Sequence, residues 1–383
     1  MVNIRRVRIF VLALAAVLMP ALAHADVVTP LMMATSLHLF IGNALIGIGE
    51  GILIAFIFKA RILRAILWMV AANYFSAWIG WAGLLGAGSA LRPDIYSVQT
   101  LLGWAIVASF TATILLEWPF IWLALKGRTH RSKAALLASL IAQTASYAVI
   151  VPLYYSTSDV SLCAKTHLER SLAFVKNKDA VVYYIVPEGG ALARMRLDGS
   201  SGETLMAIDP GYFQLFTRKA QDSGMSDLCL VKGPIGSRDE KVVLPAFAPT
   251  AAVAEDEDYQ TRDHLYRVPA LDLRPEKDRE WEFLTYDAFQ APLVAFGKSK
   301  GESLSLVVES PFLTWRVSNV TVLPNDEVLF QLDDQIVILD RTSMKLALIT
   351  RGYSPMVVLD RGAGAPSGKP PESLPLTDTK DNT

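Results

Sequence analysis

Two glutamates, Glu50 and Glu117, lie inside stretches otherwise apolar enough to cross a lipid bilayer. A carboxylate at that depth costs about 3 kcal/mol or more. Its presence therefore points to chemistry: holding a proton, a cation or a polar substrate. Glu50 stands nine residues before Lys59 and Glu117 nine before Lys126, while Asn73 follows Arg64 by nine and Gln143 follows Lys133 by ten. At 1.5 Å of rise per residue these side chains lie about 13 Å from the basic ends of their segments. The spacing predicts one polar layer near the bilayer midplane. Its two carboxyls should lie within about one water-bridged contact of each other, on neighbouring helices. Helical phase adds Asn43, which shares a face with Gly47 and Glu50, and Tyr147, which shares a stripe with Gln143 and Ser146. Asn73, Ser76, Gly80 and Gly83 form one face of the second segment, and Thr113 stands one turn from Glu117. The expected intramembrane polar site is Glu50, Glu117, Asn43, Asn73, Gln143 and Tyr147.

A structural role competes with this reading. Amides and hydroxyls between membrane helices serve as hydrogen-bond glue, worth about 0.6–2 kcal/mol each. Glue, however, needs no carboxyl, and here there are two at one depth. The glycines of "IGNALIGIGEG" have the plainer role of close helix packing, with Gly47 and Gly51 forming a small-xxx-small pair. Pro119, just after Glu117, frees the carbonyl of Leu115 and bends its helix. Other chemistries are excluded at this layer. His38 is the one His within a span, so paired-His haem ligation in a single chain is ruled out. Neither Cys and no Asp lies in a span, and no nucleophile–base set is visible. No catalytic residue, metal or cofactor is expected; the residues leave an enzyme open as a third reading, behind two non-enzymatic ones.

The elements that must position these residues follow from charge and hydropathy. Residues 1–155 carry 11 Lys and Arg against 4 Asp and Glu, and the remainder 25 against 33. A basic, apolar part followed by an acidic, mixed part implies a membrane domain joined to a water-soluble one, and neither has the basic face that nucleic acid requires. "MVNIRRVR", an apolar run and Ala23-His24-Ala25 read as a signal peptide over 1–25. Four further runs, near 31–58, 64–87, 97–125 and 133–155, are each long enough to span the bilayer. The loops "KARILR" and "KGRTHRSK" are basic and so belong in the cytoplasm, which places the end of the fourth span outside. Six of the eight Trp fall in this part, most towards span ends as interfacial anchors. The expectation is a four-helix transmembrane bundle over 26–155 in a bacterial inner membrane, with 156–360 periplasmic.

Beyond Ser156 the pattern changes to short apolar runs broken by Gly, Pro, Asn and Asp. "AVVYYIV", "ALARMRL", "ETLMAI", "DLCLVK", "SLSLVVE", "EVLFQL", "QIVILD" and "KLALIT" read as strands, with a short helix around "CAKTHLER". The class is an all-β domain. "KDAVVYYI" with "ALARMRLDGSSGETL" aligns with "NDEVLFQL" with "QIVILDRTSMKLAL", each second strand ending in Leu-Asp at Leu197-Asp198 and Leu339-Asp340. This pattern resembles the strand–turn–strand blades of β-propeller proteins, which implies a propeller-like fold of four or five blades; a β-sandwich is the alternative. Glu255 to Asp258, "EDED", reads as a solvated loop, and His167 and His264 as isolated. The tail over 361–383, rich in Gly, Pro and polar residues, has the composition of disorder. Cys163 and Cys229, the two cysteines of the chain, are expected to form a periplasmic disulfide.

Two functions fit these elements. The first is an anchoring, assembly or sensing protein whose periplasmic β domain binds a protein partner. The alternative is a transporter or ion-coupled membrane subunit that uses the Glu50/Glu117 site.

Overall fold

The computed structural model describes residues 37–88, 93–157, 165–187, 190–209, 212–220, 224–232, 240–253, 268–285, 293–299, 301–306, 308–309 and 314–359. The signal segment, Cys163, "EDED", His264 and the tail lie outside the described residues. The chain divides into two compact units, 1–163 with 308–314, and 164–307 with 315–383.

The first unit contains α1 (Asn43–Phe58), α2 (Ile62–Gly88), α3 (Val98–Ala124) and α4 (Arg131–Thr157), with a π-helical turn over His38–Gly42 leading into α1. Each helix contains a stretch long and apolar enough to cross a membrane. Lys59, in the left-handed region at φ 49°, terminates α1 and donates its N–H to Ala55. Before α3, the Asp94 carboxylate accepts from the backbone N–H of Tyr96 and Ser97, and the Ser97 hydroxyl accepts from the Asp94 N–H. This reciprocal pair satisfies donors that a helix start leaves open.

The helices form a ring in chain order, α1 on α2, α2 on α3, α3 on α4, and α4 back on α1. Gly47 and Gly51 let α1 approach α2 at backbone distance. A Cβ on Gly47 would fall 2.6 Å from the Val70 Cα, and one on Gly51 2.5 Å from the Ile66 Cα. Gly80 and Gly83 face open space and have no such duty. Ile54, Phe58, Met69, Ile121, Leu125 and three small residues of α4, Ala135, Ala138 and Ala142, make one buried apolar cluster. The outer surface is also apolar: Phe56, Leu63, Leu67, Trp104 and Leu115 are each 61–71% exposed.

The second unit is β-rich, with several separate sheets. β1 (His167–Leu168), β2 (Val181–Val186), β3 (Ala191–Arg196), β4 (Glu203–Ala207), β5 (Tyr212–Lys219), β6 (Met225–Lys232), β7 (Glu240–Pro249), β8 (Val268–Pro269) and β9 (Leu271–Asp272) come first. They are followed by β10 (Trp281–Thr285), β11 (Leu293–Gly297), β12 (Ser303–Leu306), β15 (Val317–Leu323), β16 (Glu327–Leu332), β17 (Gln335–Asp340), β18 (Lys345–Arg351) and β19 (Tyr353–Val358), while β13 (Val308–Glu309) is counted with the first unit and β14 (Thr314–Trp315) falls at the division. The larger sheets run β19-β2-β3-β4, β5-β6-β7, β12-β11-β10-β8 and β1-β18-β17-β16-β15-β9, with β13 and β14 paired by themselves.

The sheet containing β2 is buried on both faces. Val182 and Tyr184 pack with Leu329, Ile336 and Ile338, whereas Tyr183 and Ile185 pack with Leu228 and Leu230. Alternate side chains of a strand point to opposite faces, so the unbroken apolar run of β2 is what a middle layer requires. The two aligned stretches form equivalent units, β2-β3-β4 and β16-β17-β18. Asp198 and Asp340 occupy matching turns, accepting from the backbone N–H of Ser200 and Thr342. Glu327, fully buried at the start of β16, accepts from the backbone N–H of Lys176 and Asn177 and from the Asn177 amide.

Among the described residues the β unit consists of several sheets, and no closed propeller is seen. Two expectations are corrected. The helix expected around "CAKTHLER" is replaced at His167–Leu168 by a short strand, paired parallel with β18 through His167 N–H to Met344 and Glu169 N–H to Leu346. Cys229 is a free thiol, not half of a disulfide with Cys163. It is fully buried with Phe216 and Val231, where it acts as a small apolar side chain, and burial pushes its pKa up to about 11.

Candidate functional site

The polar layer is assembled inside the helical unit. Glu50 on α1 and Glu117 on α3 are 5% and 0% exposed, and Asn73, Ser76 and Gln143 are also buried. On the Glu50 carboxyl, Asn73 Nδ2 donates to Oε2 at 2.7 Å, and Gln143 Nε2 and the Ser146 hydroxyl both reach Oε1, the former at 3.5 Å. On Glu117, Ser76 Oγ donates to Oε1 at 2.9 Å and Gln143 Nε2 to Oε2 at 2.5 Å. Since one Nε2 reaches both carboxyls, their acceptor oxygens lie no more than about 6 Å apart.

The helices carrying the carboxyls are not neighbours, contrary to expectation. A ring in chain order sets α1 and α3 on one diagonal and α2 and α4 on the other. Four inward-facing polar stripes then meet on the bundle axis, so the carboxyls converge without their helices packing side by side.

Two of the six expected residues are not brought to the carboxyls by any bond seen here. Asn43 is buried but donates to the Leu39 carbonyl at 3.0 Å, one turn back in its own helical segment. Tyr147 pairs its hydroxyl with Ser109 Oγ at 3.0 Å and sets its ring edge-on to Phe110. Thr113 spends its hydroxyl on the Ser109 carbonyl. His38 lies at the far end, its ring 5.8 Å from that of Tyr154.

Ser76 and Ser146 complete the shell. They were legible on the inward stripes, but their part in the site was missed for want of one signal, an internal repeat. Glu50, Lys59, Arg61, Asn73 and Ser76 recur as Glu117, Lys126, Arg128, Gln143 and Ser146. The interval from Glu to Lys is nine residues in both, the basic triplets are "KAR" and "KGR", and amide and serine stand three apart in both. The second hairpin has three extra residues between the basic triplet and the amide. The recurrence pairs the α1–α2 hairpin with the α3–α4 hairpin as two copies of one pattern. The donors cross accordingly. Asn73 serves Glu50 and Ser76 serves Glu117; Gln143 serves Glu117 and Ser146 serves Glu50.

The surroundings are unequal on the two sides of the layer. Towards the basic loops lie the buried apolar side chains of Ile54, Phe58, Met69, Ile121 and Leu125. In the other direction the helices offer Asn43, Ser109, Thr113 and Tyr147. At the basic end, Arg64 donates to the carbonyls of Ala124 and Lys126, and Arg131 stacks on Trp122 with its guanidinium 3.5 Å from the ring centre. No Lys or Arg occurs between Ala65 and Gly88, over Val98–Ala124 or between Ala134 and Thr157. Among the described residues no group of three His, Cys, Asp or Glu side chains is placed to hold a metal.

No protein-family model matches the chain, and no curated protein matches it. Among solved structures, the crystal structure of TolB from Acinetobacter baumannii is similar over 45% of this chain and 53% of that one, with 12% identity and a TM-score of 0.20. The match thus spans about half the length of that protein.

Proposed function

We propose that this is a multi-pass inner-membrane protein whose helical unit binds and releases a monovalent ion, a proton or a small cation, at the Glu50/Glu117 pair. The observation that carries this reading is the convergence of two buried carboxyls on one set of neutral donors, with no basic side chain in the same layer among the described residues. A negative charge there has to be balanced from outside the protein. Exposed apolar faces of this extent suit lipid contact rather than water. The basic loops would then lie in the cytoplasm and the propeller-like β unit in the periplasm, available to a protein partner. Ions would exchange from the periplasmic side, because the cytoplasmic side is closed by apolar side chains.

The test is thermal unfolding of the full chain in lipid nanodiscs across pH and across sodium, potassium and lithium concentrations. A bound ion stabilises by mass action, about 2.7 kcal/mol at a hundredfold excess over Kd. The wild type should therefore respond to pH or to one cation more strongly than the Glu50→Gln/Glu117→Gln double variant. Superimposable profiles would assign the pair to interhelical bonding alone.

A further inference from the structure

Resting on the proposal that the pair binds an ion, we infer that the ion is a proton, taken up by either carboxyl and accommodated by rotation of a serine hydroxyl. Each carboxyl is backed by a serine that has a second acceptor within reach in its own helix. Ser146 Oγ contacts Glu50 Oε1 and lies 2.7 Å from the Ala142 carbonyl. Ser76 Oγ lies 2.9 Å from Glu117 Oε1 and 3.2 Å from the Asn73 carbonyl. A hydroxyl has one proton to donate and can accept as well. With the glutamate ionised, the serine donates to it. With the glutamate protonated, the new O–H donates to the serine oxygen, and the serine turns its own proton to the helix carbonyl. Both states are fully bonded, no helix moves, and the only change in composition is one proton added to one carboxylate.

The same shell is built against a metal cation. Asn73 Nδ2 also donates to the Met69 carbonyl at 3.0 Å, which fixes the N–H side of that amide towards Glu50. Gln143 Nε2 stands between two carboxyls and is likewise held as a donor. A hard cation needs several oxygens converging at about 2.0–2.6 Å; here it would meet N–H and O–H hydrogens.

Among the described residues no other ionisable group intrudes. Glu50 faces Glu117 from α3, the neutral Asn73 from α2, and Gln143 and Ser146 from α4. Tyr74 reaches the Phe40 carbonyl and Tyr147 reaches Ser109, while His38 and Tyr154 lie together at the outer end and Arg64 is engaged at the basic one. Gln143 joins the halves of the repeat. Protonating one glutamate frees its amide to bond the other more closely, so the two carboxyls share one proton rather than load independently.

Infrared difference spectroscopy of the full chain in nanodiscs reads this directly. A carboxylic-acid C=O band should rise as pH is lowered, lose one component in Glu50→Gln and another in Glu117→Gln, and stay unchanged when sodium, potassium or lithium is added. Ser146→Ala should shift the Glu50 component in frequency, and Ser146→Thr, which keeps the hydroxyl, should restore it; Ser76→Ala and Ser76→Thr should do the same for Glu117. Loss of the band on adding a cation would leave an ion site but overturn the proton assignment. A pH-dependent band indifferent to both serine substitutions would overturn the hydroxyl relay. A glutamate band that responds neither to pH nor to cations would overturn the ion-binding reading as well.

Discussion

At the scale of single residues, the two units use carboxylates differently. Glu50 and Glu117 see only neutral donors, whereas Asp340 in the β unit is placed against a cation. Burial acts to raise the Asp340 pKa, but bonds from the Ser343 hydroxyl, the Lys176 ammonium and the Thr342 N–H outweigh it and hold the value below the ordinary range. A depressed carboxylate contributes stability that is present above its unfolded pKa, about 3.9, and lost as pH falls through the folded value. Asp340→Asn should therefore cost the β unit about 1–2 kcal/mol near neutrality, and the gap from the wild type should close below about pH 4. Unfolding of the full chain followed by near-ultraviolet signals of the β unit, as a function of pH, checks both limbs.

At the scale of elements, the α1–α2 hairpin depends on two missing side chains. The atoms that a Cβ on Gly47 or Gly51 would strike are backbone atoms of α2, which no rotamer change can move. Gly47→Ala and Gly51→Ala should each force the helices apart and cost about 1–3 kcal/mol, the usual range for overpacking. Gly103→Ala on α3 is the control, since a Cβ added there would meet nothing within 4 Å. There the substitution should be neutral or stabilising by up to about 1 kcal/mol, because alanine favours helix over glycine. Melting temperatures of the three variants in one detergent separate the cases. Because Asn73 rides on α2, the first two should also weaken its bond to Glu50.

At the scale of the whole molecule, the proposed threading rests on the charge asymmetry of the loops. The turns after α1 and α3 carry Lys59, Arg61, Lys126 and Arg128, and both lie at the same end of the ring. Positive loops are retained in the cytoplasm. A reporter active only in the periplasm should therefore be active when fused after Thr383 and silent when fused at Gly127. The opposite pattern would invert the compartment of the β unit and the side from which the carboxyl pair exchanges its ion.

The amino-acid sequence by itself determined the four apolar helices, the depth of their polar residues and the β character of the second unit. Those properties are written in periodicity, length and distance from a basic loop, and each is local. It also placed Asn43 and Tyr147 on the inward faces, since phase is local too. Only the tertiary structure decided which inward groups meet. Asn43 and Tyr147 lie towards the outer end and bond to nearer partners, while Ser76 and Ser146 lie level with the carboxyls. The bundle diagonal, not adjacency, brings Glu50 to Glu117, because ring order is a property of packing between helices. The β unit divides the same way. Strands with strong alternation or unbroken apolar runs were legible, but β5, β7, β10, β11, β15 and β19 were not singled out. The return of β19 to β2 joins residues far apart in the chain, and no local pattern records such a pairing. Cys229 obeys the same division: compartment and an even count favoured a bridge, and the packing of its strand against Phe216 and Val231 left a buried thiol instead.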